Sequence, residues 1–184
     1  MSSFSGLVML FAQAVLAVVF SASLLSKLRD PGRFRRTVVA FDIVPYSWSA
    51  AIARALTVAE GIALTVLILG IVRVGSWPPR WVSVAGLLLG LALIAIYTAA
   101  LAVVKLRRAR VACNCFGGRN ATVSWYDVVR NALLLALAFA GLTQVPEVLS
   151  APDRALVALA AAPVALIIIN FADVAEVALS SGND

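Results

Sequence analysis

The chain has 184 residues, 62% of them hydrophobic and only 13% charged, with a mean hydropathy of +1.00; soluble domains carry roughly 45–50% apolar and about 25% charged residues, so a soluble globular domain is excluded. Fifteen Lys and Arg against nine Asp and Glu leave a formal charge of +6, and the sequence has no histidine. Histidine catalysis and histidine metal ligation are therefore excluded, and the net charge is nearly constant through the physiological range.

A helix that crosses a bilayer needs about 20 mostly apolar residues, and five runs of that kind follow one another. The first covers about Phe4 to Ser26; no Lys or Arg precedes it, so it is expected to stay as a span rather than to be cleaved as a signal peptide. Between the first and second spans, Thr37 to Tyr46 is apolar but short and holds Asp42 and Pro45, which predicts an interfacial or re-entrant piece and not a crossing. The second span, about Trp48 to Val72, carries Arg54 near one end and Glu60 nearer its middle. The third, about Val82 to Val104, is uncharged and contains Gly86 and Gly90, a small-xxx-small spacing that lets helix backbones approach closely in lipid.

The fourth span, about Ser124 to Leu149, opens with Ser124 as an N-cap and Asp127 as an acid in the first turn. The fifth, about Arg154 to Leu179, is apolar up to Asn170, Asp173 and Glu176, with Pro163 at a predicted kink. Those three polar residues share a helical face that would dock a partner or be solvated. With short linkers and no low-complexity tract, residues 1–184 are expected to form a single all-α membrane domain. The parallel endings Lys27-Leu28-Arg29 and Lys105-Leu106-Arg107 fit either a duplicated helical hairpin or ordinary enrichment at one membrane end.

Twelve of the fifteen cations fall in the connections after the first and third spans or at the adjoining span ends, and only Arg73, Arg80 and Arg154 fall on the other side. The positive-inside bias then predicts a multi-pass cell-membrane protein with the N-terminus outside and the C-terminus inside. The same bias puts the loop bearing Cys113 and Cys115 at the cytoplasmic face. Anionic lipid headgroups account for the basic clusters, and no nucleic acid is expected, because polar and aromatic residues are not interleaved with them on a soluble surface.

Chemistry can reside in few places. Cys113-Asn114-Cys115-Phe116-Gly117-Gly118 places two thiols one residue apart, able to close a strained and easily reduced disulfide, and nearby Arg107, Arg108, Arg110 and Arg119 would favour the thiolate. The alternatives are two structural thiols in a loop, or half of a metal site that a partner would have to complete; no metal is expected from this chain alone. Glu60 is the second candidate, since an ionisable residue in a span faces a partner or a cavity. Arg54 lies off its helical face, so the partner must come from another helix such as the one bearing Lys27. Either a structural interhelical pair or a role in proton or quinone handling would explain it. Asp127 and Arg130 form an i,i+3 pair at the membrane edge, with Asn131 next to it.

Four places make the chain similar to the MauE family of methylamine-utilisation membrane proteins, and more distantly to the DoxX and DoxD group of small redox-associated membrane proteins. They are Ser23-Leu24-Leu25-Ser26-Lys27-Leu28 ending the first span, Glu60, the Cys113-Asn114-Cys115-Phe116-Gly117 motif, and Arg130-Asn131 opening the fourth span. The resemblance covers about residues 4–145 and implies a four-helix bundle core, with about 154–179 as an additional transmembrane helix. It also implies a part in maturing a disulfide-rich exported dehydrogenase subunit beside a thioredoxin-like partner. Cys113 and Cys115 carry over as the family's cysteines; Glu60, Lys27 and Arg130 carry over as motif positions without an assigned chemical role.

The leading expectation is a redox accessory protein whose Cys113 and Cys115 cycle between dithiol and disulfide in support of an exported or membrane-bound partner. Two cysteines cannot relay electrons between separate thiol pairs, so a quinone or a partner protein would have to complete the circuit. A periplasmic client would want thiols outside, whereas the charge bias puts them inside. The competing expectation is a non-catalytic scaffold or accessory subunit that packs through Gly86 and Gly90 against a larger membrane complex. A transporter is disfavoured, because the spans offer few polar residues to line a path.

Overall fold

A computed structural model of the chain describes residues 2–72, 77, 79–107, 124–144 and 150–171. Six helices account for nearly all of them. They are α1 (Ser2–Arg29), α2 (Pro31–Ala40), α3 (Ser49–Ile71), α4 (Arg80–Leu106), α5 (Trp125–Leu142) and α6 (Ala151–Ile169). All but α2 are long and apolar enough to cross a bilayer. The protein is an all-α, multi-pass membrane protein.

Apolar sequence makes the spans helical, because backbone N–H and C=O groups in hydrocarbon must be satisfied within the segment. Side chains then decide which spans lie inside. In α1, 56% of the most apolar window is buried, against 11% in α6. The α1 core residues Ala12, Val15 and Leu16 have no exposed surface. Around α1 the packing is a closed ring: α1 against α3, α3 against α4, α4 against α5, and α5 back against α1, with α6 laid on α1. Leu87, Leu67 and Leu134 bring α4, α3 and α5 into the same core. The exposed Leu156, Leu159, Leu166 and Ile167 leave α6 facing lipid.

Between the first two spans the chain forms a short helix, Pro31–Ala40, which runs into the apolar stretch Thr37–Tyr46 and starts where Asp30 accepts from the Arg33 amide at 2.8 Å with Pro31 at the first helical position. Both are helix-start signals. After Ala40 the chain turns through Asp42, whose φ of 48° lies in the left-handed region, and a short 3-10 turn at Tyr46–Trp48 leads into α3. Arg107 at the end of α4 donates to the Asp42 carbonyl at 3.0 Å and ties this turn to the bundle.

The helix ends are also adjusted. Where α5 was expected to reach Leu149, it ends at Leu142 with Thr143 as C-cap, and α6 ends at Ile169 with Asn170 as C-cap. Asn170 donates to the Leu166 carbonyl at 2.8 Å at the exposed end of its own helix. Asp173 and Glu176 lie outside the described residues. Pro163 falls within α6, which continues on both sides of it.

Candidate functional site

The polar residues gather where α1, α3, α4 and α5 meet, in the half of the bundle nearest the ends of α1 and α4 that carry Lys27, Arg29, Lys105 and Arg107. We call this the basic end. Glu60 stands eleven residues after the start of α3, about 16 Å along its axis. It has no exposed surface, and Lys27 of α1 is 2% exposed. Lys27 and Glu60 form a buried ion pair, so the partner that Glu60 required comes from α1.

All three ammonium donors are used. Lys27 donates to Glu60 Oε1, to Ser23 Oγ at 3.1 Å and to the Tyr97 hydroxyl at 3.2 Å. Ser23, one turn before Lys27 on the same face of α1, itself donates to Glu60 Oε1 at 3.1 Å. The rings of Phe34 and Tyr97 each place their centroids 4.6 Å from Lys27 Nζ, adding cation–π attraction in a dry setting. A lone lysine here would be very costly; ion pairing, full hydrogen bonding and two aromatic faces make the burial tolerable.

Arg130 and Asn131 reach this centre from α5, and the start of that helix positions them. Ser124 accepts from the Tyr126 amide at 3.0 Å while Asp127 Oδ2 accepts from the Ser124 amide at 2.9 Å, a reciprocal capping box. The other oxygen of Asp127 lies 3.6 Å from Arg130 Nη1. Asp127 thus fixes the helix start and holds the guanidinium one turn deeper. Arg130, Asn131, Glu60, Ser23 and Tyr97 line a small, partly open pocket of about 30 Å³ together with apolar side chains such as Ile94 and Leu134.

Two further spaces flank the centre. Lys27, Arg35, Arg54 and Thr57 line a wider cleft of about 560 Å³ at the basic end, between α2 and α3. An apolar groove of about 150 Å³ lies beneath α2 on the other side of Phe34, with Phe41, Ile52 and Tyr97 among its walls. Among the described residues, no three His, Cys, Asp or Glu side chains gather as a metal site.

The site residues named from sequence are thus distributed unevenly. Lys27, Glu60 and Arg130 converge. Cys113 and Cys115 lie outside the described residues, as do Arg108, Arg110 and Arg119. Gly86 and Gly90 are committed inside the bundle, which corrects the expectation that they pack against a larger complex: a Cβ on Gly86 would stand 3.2 Å from the Leu67 backbone of α3, and one on Gly90 would stand 3.3 Å from the Phe20 ring of α1. Their close approach joins α4 to its own neighbours. Tyr97 is the site residue that sequence reading missed; the available signal was a hydroxyl within an otherwise uncharged span.

The family model for "Methylamine utilisation protein MauE" matches residues 5–144, which takes in α1 to α5 and stops before α6. The methylamine utilization protein MauE of Paracoccus denitrificans is 37% identical over 138 residues, covering 74% of this chain and 69% of the relative. No solved structure gives a significant match. The match takes in Lys27, Glu60, Tyr97, Arg130 and both cysteines, and on that extent and identity the chain belongs to the MauE family.

Proposed function

We propose that the protein is a membrane-embedded redox accessory of the MauE type, in which Cys113 and Cys115 exchange with a partner's thiols to support maturation of an exported or membrane-bound client. In the exchange, the two thiols give up two protons and two electrons to form one disulfide, and a partner disulfide takes them to become a dithiol. A thioredoxin-like protein fits that partner, and a membrane quinone would serve as the electron acceptor in its place. The observation that carries this reading is family membership together with the position of the Cys-x-Cys sequence, in the connection between α4 and α5, the two helices that contribute Tyr97 and Arg130 to the buried polar centre.

The orientation belongs to the same proposal. The concentration of Lys and Arg at the basic end supports a cytoplasmic position for that end and for the cysteine connection, with the N-terminus outside. The reading takes residues 1–184 as one membrane domain, with a MauE-like core at about 4–145 and α6 added to it.

The test is a membrane-impermeant thiol reagent applied to vesicles of each orientation, with and without prior reduction, beside Cys113→Ser and Cys115→Ser variants scored for client maturation. Thiols that label only after reduction, together with loss of maturation in both variants at unchanged membrane insertion, are the expected results. Normal maturation in both variants removes the redox reading and leaves a non-catalytic accessory subunit.

A further inference from the structure

Arg54 carries a charge inside a span that the fold does not neutralise. It stands five residues into α3, about 7.5 Å along the axis from the basic end, on an exposed side of the helix. Its Nε donates to the Ala50 carbonyl at 3.3 Å, one turn nearer the membrane end, so the side chain folds back toward the interface. Among the described residues no carboxylate pairs with it: Glu60 is taken by Lys27, Asp30 by Arg36 and Asp127 by Arg130. A cation at this depth is costly and calls for an anion.

Arg35 of α2 is a second cation of this kind. It is exposed, pairs with no carboxylate among the described residues, and its guanidinium carbon lies 5.7 Å from the centre of the Tyr46 ring. Tyr46 and Trp48, both exposed just before α3, are residue types that sit at headgroup level, and the ring contact holds Arg35 at that level.

Arg35 and Arg54 line one space, the open cleft of about 560 Å³ between α2 and α3, a size within the roughly 300–1,000 Å³ of ligand clefts. No described Asp or Glu is among its walls, and Lys27, which also borders it, has its ammonium committed to Glu60. The remaining walls are mostly apolar, Leu28, Phe34, Ala53 and Val58 among them. Leu28 and Val58 are exposed, and Val58 lies one turn deeper in the membrane than Arg54. The cleft therefore offers two cations toward the interface and an apolar surface toward the hydrocarbon. A soluble anion matches only the first part, and an uncharged apolar molecule only the second.

We propose that this cleft binds one anionic phospholipid, its phosphate held by Arg35 and Arg54 and an acyl chain laid over Leu28 and Val58. Guanidinium groups suit the first task, because they give phosphate oxygens charge-assisted and often bidentate hydrogen bonds. Diffuse attraction to a negative leaflet would draw on every cation of the basic end alike; the site singles out the two that line the cleft. The inference stands apart from the thiol reading, since it needs neither cysteine.

The test is a titration of the full chain in mild detergent with phosphatidylglycerol bearing a fluorescent tail, at fixed ionic strength. Unlabelled phosphatidylglycerol, phosphatidylcholine with the same acyl chains, and inorganic phosphate serve as competitors. Saturable uptake of one labelled lipid per chain is expected, displaced at least about tenfold better by phosphatidylglycerol than by phosphatidylcholine and not displaced by phosphate. Arg35→Gln/Arg54→Gln is expected to weaken binding at least about tenfold, as loss of charged hydrogen bonds does. Arg29→Gln/Lys105→Gln removes two charges from the same membrane end outside the cleft and is expected to change binding less than about twofold, by screened long-range attraction alone. Equal displacement by phosphatidylcholine overturns recognition of the charge, and displacement by inorganic phosphate overturns the lipid as occupant. Equal losses in the two double variants overturn the cleft as the site. The competition in the wild type decides between lipid and free anion even if a variant fails to fold.

Discussion

Tyr97 and Lys27, 70 positions apart in sequence, meet twice: the ammonium donates to the phenol oxygen at 3.2 Å and lies 4.6 Å from the centre of the same ring. The two contacts are separable. Tyr97→Phe keeps the aromatic face and removes the acceptor, and should cost about 0.5–1.5 kcal/mol. Tyr97→Leu removes both and should cost more, by about the 0.5–2 kcal/mol of a desolvated cation–π contact. Unfolding midpoints in mixed micelles measure the difference, and equal losses in the two variants would remove the ring from the account.

The ion pair predicts a strongly non-additive cycle. Glu60→Leu alone leaves a buried ammonium without its counter-ion, and Lys27→Met alone leaves a buried carboxylate; each should cost on the order of 3–5 kcal/mol. The combined variant replaces both charges with apolar groups and should recover most of that loss. A double variant as unstable as the sum of the singles would show that Lys27 and Glu60 act independently.

Gly86 and Gly61 make a controlled comparison on neighbouring helices. A Cβ on Gly86 would meet the Leu67 backbone N and Cα at 3.2 Å, atoms that cannot rotate away, whereas the nearest neighbour of a Cβ on Gly61 is Leu24 Cδ2 at 4.0 Å. Gly86→Ala should destabilise by about 1–3 kcal/mol through forced separation of α3 and α4. Gly61→Ala should be neutral or stabilising by up to about 1 kcal/mol from helix propensity. Thermal aggregation of the two variants, measured side by side in one detergent, gives the sign.

The capping box at Ser124 links a local signal to the buried centre. Ser124→Ala should cost about 1 kcal/mol and should raise amide hydrogen exchange in the first turn of α5. Because Asp127 also holds Arg130, Asp127→Ala should loosen the guanidinium as well as the cap and should exceed Ser124→Ala in cost. Hydrogen-exchange mass spectrometry of the peptide spanning the helix start distinguishes them.

Much of this architecture was legible from sequence because it is decided locally. Transfer of a 20-residue apolar run into hydrocarbon is a sum over its own residues, so the five spans and the helix start at Ser124 could be read without knowing what lies beside them. The need for a partner at Glu60 was equally local, since a carboxylate in a span is costly wherever the helix packs. The start of α2 at Asp30-Pro31 carried a local signal too, an N-cap acid followed by proline at the first helical position.

The identity of contacts was a tertiary matter. That Lys27 answers Glu60, that Tyr97 and Phe34 enclose the ammonium, and that Gly86 and Gly90 face α3 and α1 depends on the rotation and depth of each helix relative to the others. Those variables are fixed by interdigitation of side chains many positions apart, Leu87 and Leu67 among them, and no single span contains them. The sequence by itself determined that this chain lives in a membrane as helices and must neutralise one buried acid. Only the folded bundle decided that the acid is neutralised by Lys27 of α1, because that pairing and its burial exist only once the helices have closed around both side chains.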